Sequence, residues 1–217
     1  MAFGRLFTED FLREGVDASP DWKALESTFA EKRSALLKLF EDFGPHADHN
    51  EANTEENLIY KIADKLGWTE RLVQEAVDAG RRGVPDALLF ATAEDRAKAV
   101  EERTGPAKFR HAELVLEAKA WRVALDKAGG RDTPPSAQLL NYLSRAEVQS
   151  DGRIQWGILT NGRIWRLYWR RAKSLLTEYF EIDLAAALGV MDADDLFGPQ
   201  KDEDRDRDLK LFLLFFS

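Results

Sequence analysis

The dipeptide Asn161-Gly162 constrains the fold more than any other feature, because it separates two runs in which apolar and polar residues alternate. These runs cover residues 154–160 and 163–169. An Asn-Gly pair between two such runs favours a type I′ turn, in which both central residues adopt positive φ. The sequence therefore predicts an antiparallel hairpin and, with it, a β-sheet.

Helices and further strands surround this hairpin. Apolar residues recur at helical spacing over residues 20–43, which begin with Ser19-Pro20, and over residues 54–66, which Gly67 closes. Further helices are predicted at residues 93–104, 136–148 and 183–188, and further strands at residues 72–77, 84–90, 112–120 and 178–182. This order predicts an α/β fold with a central mixed sheet of about four or five strands, helices on both faces and an extra N-terminal helix.

The composition of the 217 residues excludes several classes of protein. The absence of cysteine removes disulfides, iron–sulfur clusters and cysteine nucleophiles, and three histidines make an all-protein zinc site a poor interpretation. No apolar run is long enough to cross a bilayer, and no secretion signal begins the chain. We therefore expect a cytoplasmic protein with no membrane partner.

Three charged side chains mark the ends of two predicted strands. Asp86 follows Pro85 at the start of the strand at 84–90, and Glu117-Ala118-Lys119 ends the strand at 112–120. Since side chains on a strand repeat every two residues, Glu117 and Lys119 share one face. If the two strands are neighbours, Asp86 lies beside Glu117 and Lys119. Two carboxylates and an ammonium group then converge.

Such a group suits the metal-assisted hydrolysis of a phosphodiester. Carboxylate oxygens are ligands that Mg²⁺ prefers, and the bound metal acidifies water and stabilises charge that develops on phosphorus. We expect Asp86 and Glu117 to hold Mg²⁺, for which Mn²⁺ can substitute, and Lys119 to position the attacking water. Alone, each of these signals is also compatible with a surface ion pair between Lys119 and Glu117.

Asp86 with Glu117-Ala118-Lys119 resembles the signature of the PD-(D/E)xK nuclease superfamily. Residues 50–68, 136–143 and 157–168 resemble the opening helix, the helix after the motif and the closing hairpin of restriction-enzyme nuclease domains. The combination is most similar to the N-terminal domain of type IIG restriction-modification enzymes and is also similar to the type I restriction subunit. The resemblance covers roughly residues 50–182 and implies a restriction-endonuclease-like fold and a Mg²⁺-dependent endodeoxyribonuclease.

The resemblance also implies further site residues, with alternatives left open. Glu51 matches the family pattern best, whereas Glu55 lies four residues before Ile59 and points toward the sheet. Glu56 is more simply a charge that favours the helix N-terminus. Gln138 can face the site, or it can be solvated on an amphipathic helix. The long interval between Asp86 and Glu117 requires the segment 93–104 to be looped out of the sheet.

We expect three parts: a helical extension at 1–48, a nuclease domain at 49–190, and an acidic linker at 191–217 that starts a helical connector. In the resembling enzymes a methyltransferase domain, which uses S-adenosylmethionine, and a target-recognition domain follow, so these are the expected covalent partners. The apolar run at 209–216 could instead fold back on the nuclease core.

DNA is the expected substrate, although the net charge of −8 indicates that other domains supply most of the affinity. Arg81, Arg82, Arg163 and Arg166 are candidate phosphate contacts in two turns, with ordinary surface charge as an equal alternative. Two other functions stay open: a catalytically silent nuclease fold used for DNA docking or assembly, and a repair or RNA nuclease.

Overall fold

Seven strands form one mixed sheet in the computed structural model, which describes residues 3–73, 84–127, 133–191 and 201–217. The strands are β1 (Phe3–Gly4), β2 (Arg71–Val73), β3 (Ala87–Leu89), β4 (Leu114–Ala118), β5 (Trp156–Thr160), β6 (Ile164–Trp169) and β7 (Tyr179–Asp183). Their order is β1-β7-β6-β5-β4-β3-β2, with β4 and β5 parallel and the other neighbours antiparallel. The α/β class is confirmed, while the sheet is wider than predicted because short edge strands extend it.

Helices pack on both faces of this sheet. They are α1 (Glu9–Arg13), α2 (Pro20–Leu25), α3 (Phe29–Phe43), α4 (Glu51–Thr54), α5 (Tyr60–Leu66), α6 (Ala93–Glu101), α7 (Gly105–Lys108), α8 (Pro135–Gln149), α9 (Leu184–Ala187) and α10 (Asp202–Phe215). A π-helical turn, Glu55–Ile59, joins α4 to α5, and residues 51–66 are called the site helix below.

The single helix predicted at 20–43 is wrong, since α2 and α3 are separate. Ser27 Oγ donates to the carbonyl of Ala24, and Thr28 Oγ1 donates to the carbonyl of Leu25. Hydroxyls that bond to the carbonyls of the preceding turn compete with the helical backbone, and the chain bends there. Ser19 does cap α2, because its hydroxyl accepts from the backbone N–H groups of Asp21 and Trp22.

The predicted hairpin forms from β5 and β6, but the predicted turn type is wrong. Gly162 has φ +84°, whereas Asn161 does not adopt positive φ. The N–H of Asn161 donates to the carbonyl of Ile164, so Gly162 and Arg163 are the two central residues, as in a type II′ turn. The side chain of Asn161 explains the change, because its Oδ1 accepts from the N–H groups of Arg163 and Ile164.

The segment between β3 and β4 is looped out of the sheet, as the argument from sequence required. Ala87 pairs with Leu116 and Leu89 pairs with Leu114, while α6 and α7 lie in the connection between the strands. The connection packs on one face of the sheet, since Ala99 and Phe109 are buried in the same cluster as Leu88 and Val115. Asp86 is thereby brought beside the end of β4.

The apolar C-terminal segment folds back onto the other face. Trp165 on β6 lies 5.4 Å from Phe212 and 5.9 Å from Phe216 between ring centroids. Phe7 stacks on Phe215 at 4.4 Å, and the indole of Trp68 donates to the carbonyl of Phe216. Burial on several sides explains why the segment 209–216 at the end of α10 is apolar nearly all round. Among the described residues, no helix combines the length and apolarity that a membrane span requires.

Candidate active site

The pairing of β3 with β4 places Asp86 beside Glu117 and Lys119. Asp86 Oδ2 accepts a hydrogen bond of 2.8 Å from the backbone N–H of Ala118, which lies between those two residues. Lys119 Nζ lies 2.6 Å from Glu117 Oε1 and 3.8 Å from Asp86 Oδ2. The structure thus brings together the three residues that the sequence selected.

Glu117 is the most enclosed of these charged groups. Its side chain is 1% exposed, and among the described residues no donor lies within hydrogen-bond distance of its Oε2. A buried carboxylate oxygen without a donor is costly, because the protein does not replace the water that it has lost. The position is therefore suited to a ligand that brings positive charge.

The site helix adds two more carboxylates to the same place. Glu51 Oε1 lies 3.2 Å from Lys119 Nζ, and Glu55 begins the π-helical turn. One oxygen each from Glu51, Glu55 and Asp86 lies within 4.8 Å of the other two. Both acids that the sequence left open are therefore beside the site, whereas Glu56 is exposed to solvent. Widened π turns of this kind occur frequently at functional sites.

Two contacts that sequence reasoning missed hold the segment after β4 against the site helix and against the loop that precedes this helix. Thr54 is fully buried, and its hydroxyl accepts from the N–H of Trp121 at 3.0 Å, two residues after Lys119. The indole of Trp121 donates to the carbonyl of Pro45, so it is a packing group and not a stacking surface. Gly162 lies beneath them, where an added Cβ would meet Leu58 at 2.8 Å. Nothing local in the sequence marks Thr54.

The pKa values of three of these carboxyl groups, those of Glu55, Asp86 and Glu117, are raised. Burial, followed by the charges of Asp86 and Glu51, raises the pKa of Glu55 to about 7. Burial and the neighbouring Asp86 raise the pKa of Glu117 to about 8, and burial also raises the pKa of Asp86. Within the part of the chain that the structure describes, four carboxyl groups therefore face a single ammonium group, and a cation bound among them would relieve their repulsion.

The pKa of Lys119 is raised as well, which for an amine favours the charged form. Burial alone would lower its pKa, but the carboxylates of Glu117 and Asp86 outweigh burial and raise it above its ordinary value. The side chain is therefore an ammonium group at neutral pH. It can donate hydrogen bonds and supply positive charge, and it is not a proton acceptor in this arrangement.

A polar cleft of about 680 Å³ opens beside the carboxylates. Its lining residues are Glu51, Lys119, Ala120, Val123, Lys127, Thr133, Pro135, Gln138, Asn141, Tyr142 and Arg145. Gln138 belongs to this wall, and its Nε2 donates to the hydroxyl of Tyr142 at 2.8 Å. Gln138 therefore lies in the cleft beside the site, where its side chain is hydrogen-bonded to Tyr142 and not to Lys119.

Of the four predicted phosphate contacts, the two that the structure describes, Arg163 and Arg166, do not line this cleft. Arg166 is buried, and it binds both carboxylate oxygens of Asp126, at 2.6 and 2.7 Å, and the carboxylate of Glu181. Arg163 binds Asp183 Oδ2 through two nitrogens. The expectation that Arg166 contacts phosphate is wrong, because its guanidinium group is enclosed in ion pairs. Arg81 and Arg82 lie outside the described residues.

Comparisons with protein-family models, with curated proteins and with solved structures found no match for this chain. The functional argument therefore depends on the geometry and chemistry of the site itself. Its components are four carboxyl groups, one ammonium group, a buried oxygen without a donor and an adjoining polar cleft.

Proposed function

We propose that this chain is a metal-dependent endodeoxyribonuclease domain of the PD-(D/E)xK kind, from a restriction-modification enzyme. The observation that carries the proposal is the convergence of Asp86, Glu117 and Lys119 from neighbouring strands onto two acids of the site helix. A carboxylate cluster with one lysine, beside a cleft that contains basic residues, suits the hydrolysis of a phosphodiester.

The donor set fits a hard divalent cation. Glu51, Glu55 and Asp86 offer clustered oxygens, and Glu117 Oε2 is a buried oxygen to which no described residue donates. Such oxygens are typical ligands of Mg²⁺, and Mn²⁺ accepts the same set. When bound, the metal supplies acidified water and stabilises negative charge on the phosphate.

The chain's own residues then divide the remaining work. The Lys119 ammonium group donates hydrogen bonds from Nζ, so it can orient the attacking water and offset the charge that develops on phosphorus. Glu55 lies among the same clustered oxygens, so its carboxylate can accept a hydrogen bond from that water. Asp86 is fixed by the N–H of Ala118, and one of its oxygens lies within 4.8 Å of an oxygen of each helix acid.

The expected setting is a longer polypeptide in which other domains read the target and carry the methyltransferase with its S-adenosylmethionine. A net charge of −8 opposes tight binding of DNA by this part alone. We therefore expect weak cleavage with little sequence preference. A single site cuts one strand at a time, so nicked circles should precede linear plasmid.

The test is cleavage of supercoiled plasmid and of RNA, each with Mg²⁺, with Mn²⁺ and with a chelator. Lys119→Ala and Asp86→Ala should each lower the rate of DNA cleavage by at least about 100-fold, because each removes charge from the reacting centre. Glu51→Ala should have a smaller effect. Glu56→Ala is the matched control, since Glu56 lies on the same helix but faces solvent.

The outcomes separate the three functions. Metal-dependent nicking that Lys119→Ala removes and Glu56→Ala retains supports the proposal. Binding of DNA without any cleavage would favour the silent docking module, and preferred cleavage of RNA would favour an RNA nuclease. Full activity in folded Lys119→Ala or Asp86→Ala protein would overturn the mechanism.

A further inference from the structure

The cleft of about 680 Å³ is continuous with the carboxylate site, because Glu51 and Lys119 line both. Anything bound in the cleft therefore adjoins the reacting centre. The cleft extends past the carboxylates to groups that have no part in the proposed chemistry. These groups are Lys127 on one wall and Asn141 and Arg145 on the other.

Helix α8 presents a polar face to this cleft. Gln138, Asn141, Tyr142 and Arg145 follow one another at spacings of three, four and seven from the first residue, and all four line the cleft. The opposite face, Leu139, Leu143 and Ala146, is fully buried against the sheet. This division fixes the rotation of α8, so its amides, phenol and guanidinium group lie on the cleft side.

The facing wall is the segment 119–127, and several contacts hold it in place. Arg166 binds Asp126 through two nitrogens, and Asn161 Nδ2 donates to the carbonyl of Val123 at 2.9 Å. The N–H of Ser136, in the first turn of α8, donates to the carbonyl of Leu125. Lys127 therefore follows a residue that is fixed to the sheet, and Arg166 is a positioning residue for this wall.

We infer that this cleft binds the DNA strand beside the cleaved bond, with Lys127 and Arg145 contacting phosphates and Asn141 donating to a phosphate or base edge. The inference rests on the proposed function for the position of the cleaved bond. Cations on both walls with amides between them suit a polyanion. Seven residues of helix separate Gln138 from Arg145, about 10 Å along the axis, which suits a chain of phosphates instead of one small anion.

The test measures binding of fluorescent DNA at several salt concentrations, in chelator, so that no cleavage occurs. Lys127→Gln and Arg145→Gln, singly and together, remove charge while they keep a polar side chain. Lys38→Gln is the matched control, because Lys38 is exposed on α3, pairs with Asp42 and is not part of the cleft lining. Thermal unfolding verifies that each variant is folded.

Each lost phosphate contact should lower the salt slope of duplex binding by about 0.9. Raising the salt from 50 to 200 mM lowers the affinity of both proteins for DNA. The fold-loss of affinity should be about 12 times smaller for the double variant than for the wild type. Lys38→Gln should leave the slope unchanged. An unchanged slope in the folded double variant would overturn the inference, as would absence of DNA binding by the wild type or tighter binding of RNA than of DNA.

This measurement also separates the inference from the proposed function. A chain that binds DNA through Lys127 and Arg145 but does not cut it would sink the nuclease proposal and leave the cleft assignment standing. If the chain cuts DNA but the double variant has an unchanged salt slope, the nuclease proposal stands and the cleft assignment fails.

Discussion

Two clusters of charged side chains lie on the sheet, and they differ in how their charges are balanced. Around the β5–β6 hairpin, Arg166 is paired with Asp126 and Glu181, and Arg163 is paired with Asp183. At the ends of β3 and β4, Lys119 is the one cation that the described residues place against Glu51, Glu55, Asp86 and Glu117. The first cluster satisfies its guanidinium groups, whereas in the second no described residue donates to Glu117 Oε2.

The difference separates structure from function. Balanced ion pairs fix the hairpin and the wall of the cleft, and their charges are neutralised without a bound ligand. An excess of buried carboxyl groups disfavours folding, and such strain is characteristic of sites that bind or react. Arg163 and Arg166, two of the arginines that the sequence suggested for DNA contact, thus have a structural role, and the acids carry the functional argument.

The largest expected effect breaks the balanced cluster. Arg166→Ala should lower the free energy of unfolding by about 3 kcal/mol, because it leaves the half-buried Glu181 without its partner. Arg153→Ala, which removes an exposed arginine with ion-pair distances of 3.4 and 3.6 Å, should cost less than about 1 kcal/mol. Urea unfolding measures both, and equal losses would contradict the contrast between enclosed and exposed pairs.

Replacing a glutamate by glutamine should change the free energy of unfolding less, and with opposite sign at the two clusters. Glu117→Gln should stabilise the metal-free protein at pH 8 by about 1–2 kcal/mol, because it removes one of the repelling carboxylates. Glu181→Gln is the matched substitution in the balanced cluster and should destabilise, because Arg166 loses a charge partner.

The pH dependence of this difference follows from the raised pKa of Glu117. The folded protein holds a proton on Glu117 up to about pH 8, whereas an unfolded chain releases it near pH 4.5. Metal-free stability should therefore fall as pH rises from about 5 to 8, by up to about 1.4 kcal/mol per pH unit for this group. Urea unfolding across that range should give a flatter profile for Glu117→Gln. Identical profiles for the variant and the wild type would contradict the assignment.

Much of the sheet could be predicted from the sequence, because the pattern of apolar residues along a strand shows which side chains are buried. It missed β1, since two residues at a sheet edge carry no period, and it merged α2 with α3 because apolar spacing continues across Ser27 and Thr28. The turn type failed because the Asn161 side chain makes hydrogen bonds that a dipeptide preference does not include.

The site was predicted where local rules sufficed. Strand alternation places Glu117 and Lys119 together, and antiparallel pairing brings Asp86 beside them. The parts that were missed depend on long-range contacts. Thr54 meets Trp121 across 67 positions of sequence, and Arg166 meets Asp126 across 40, so no local pattern shows whether either side chain is paired.

The most direct test of the central claim is a calorimetric titration of the metal-free protein with Mg²⁺ and Mn²⁺ at pH 7. We predict that the wild type binds the metal and releases protons, because Glu55 and Glu117, with pKa values of about 7 and 8, are partly protonated at that pH. Asp86→Asn should abolish binding, while Glu181→Gln should retain it. Absence of metal binding by the folded wild type, or equal binding by Asp86→Asn, would contradict the claim that this excess of carboxyl groups serves a divalent cation.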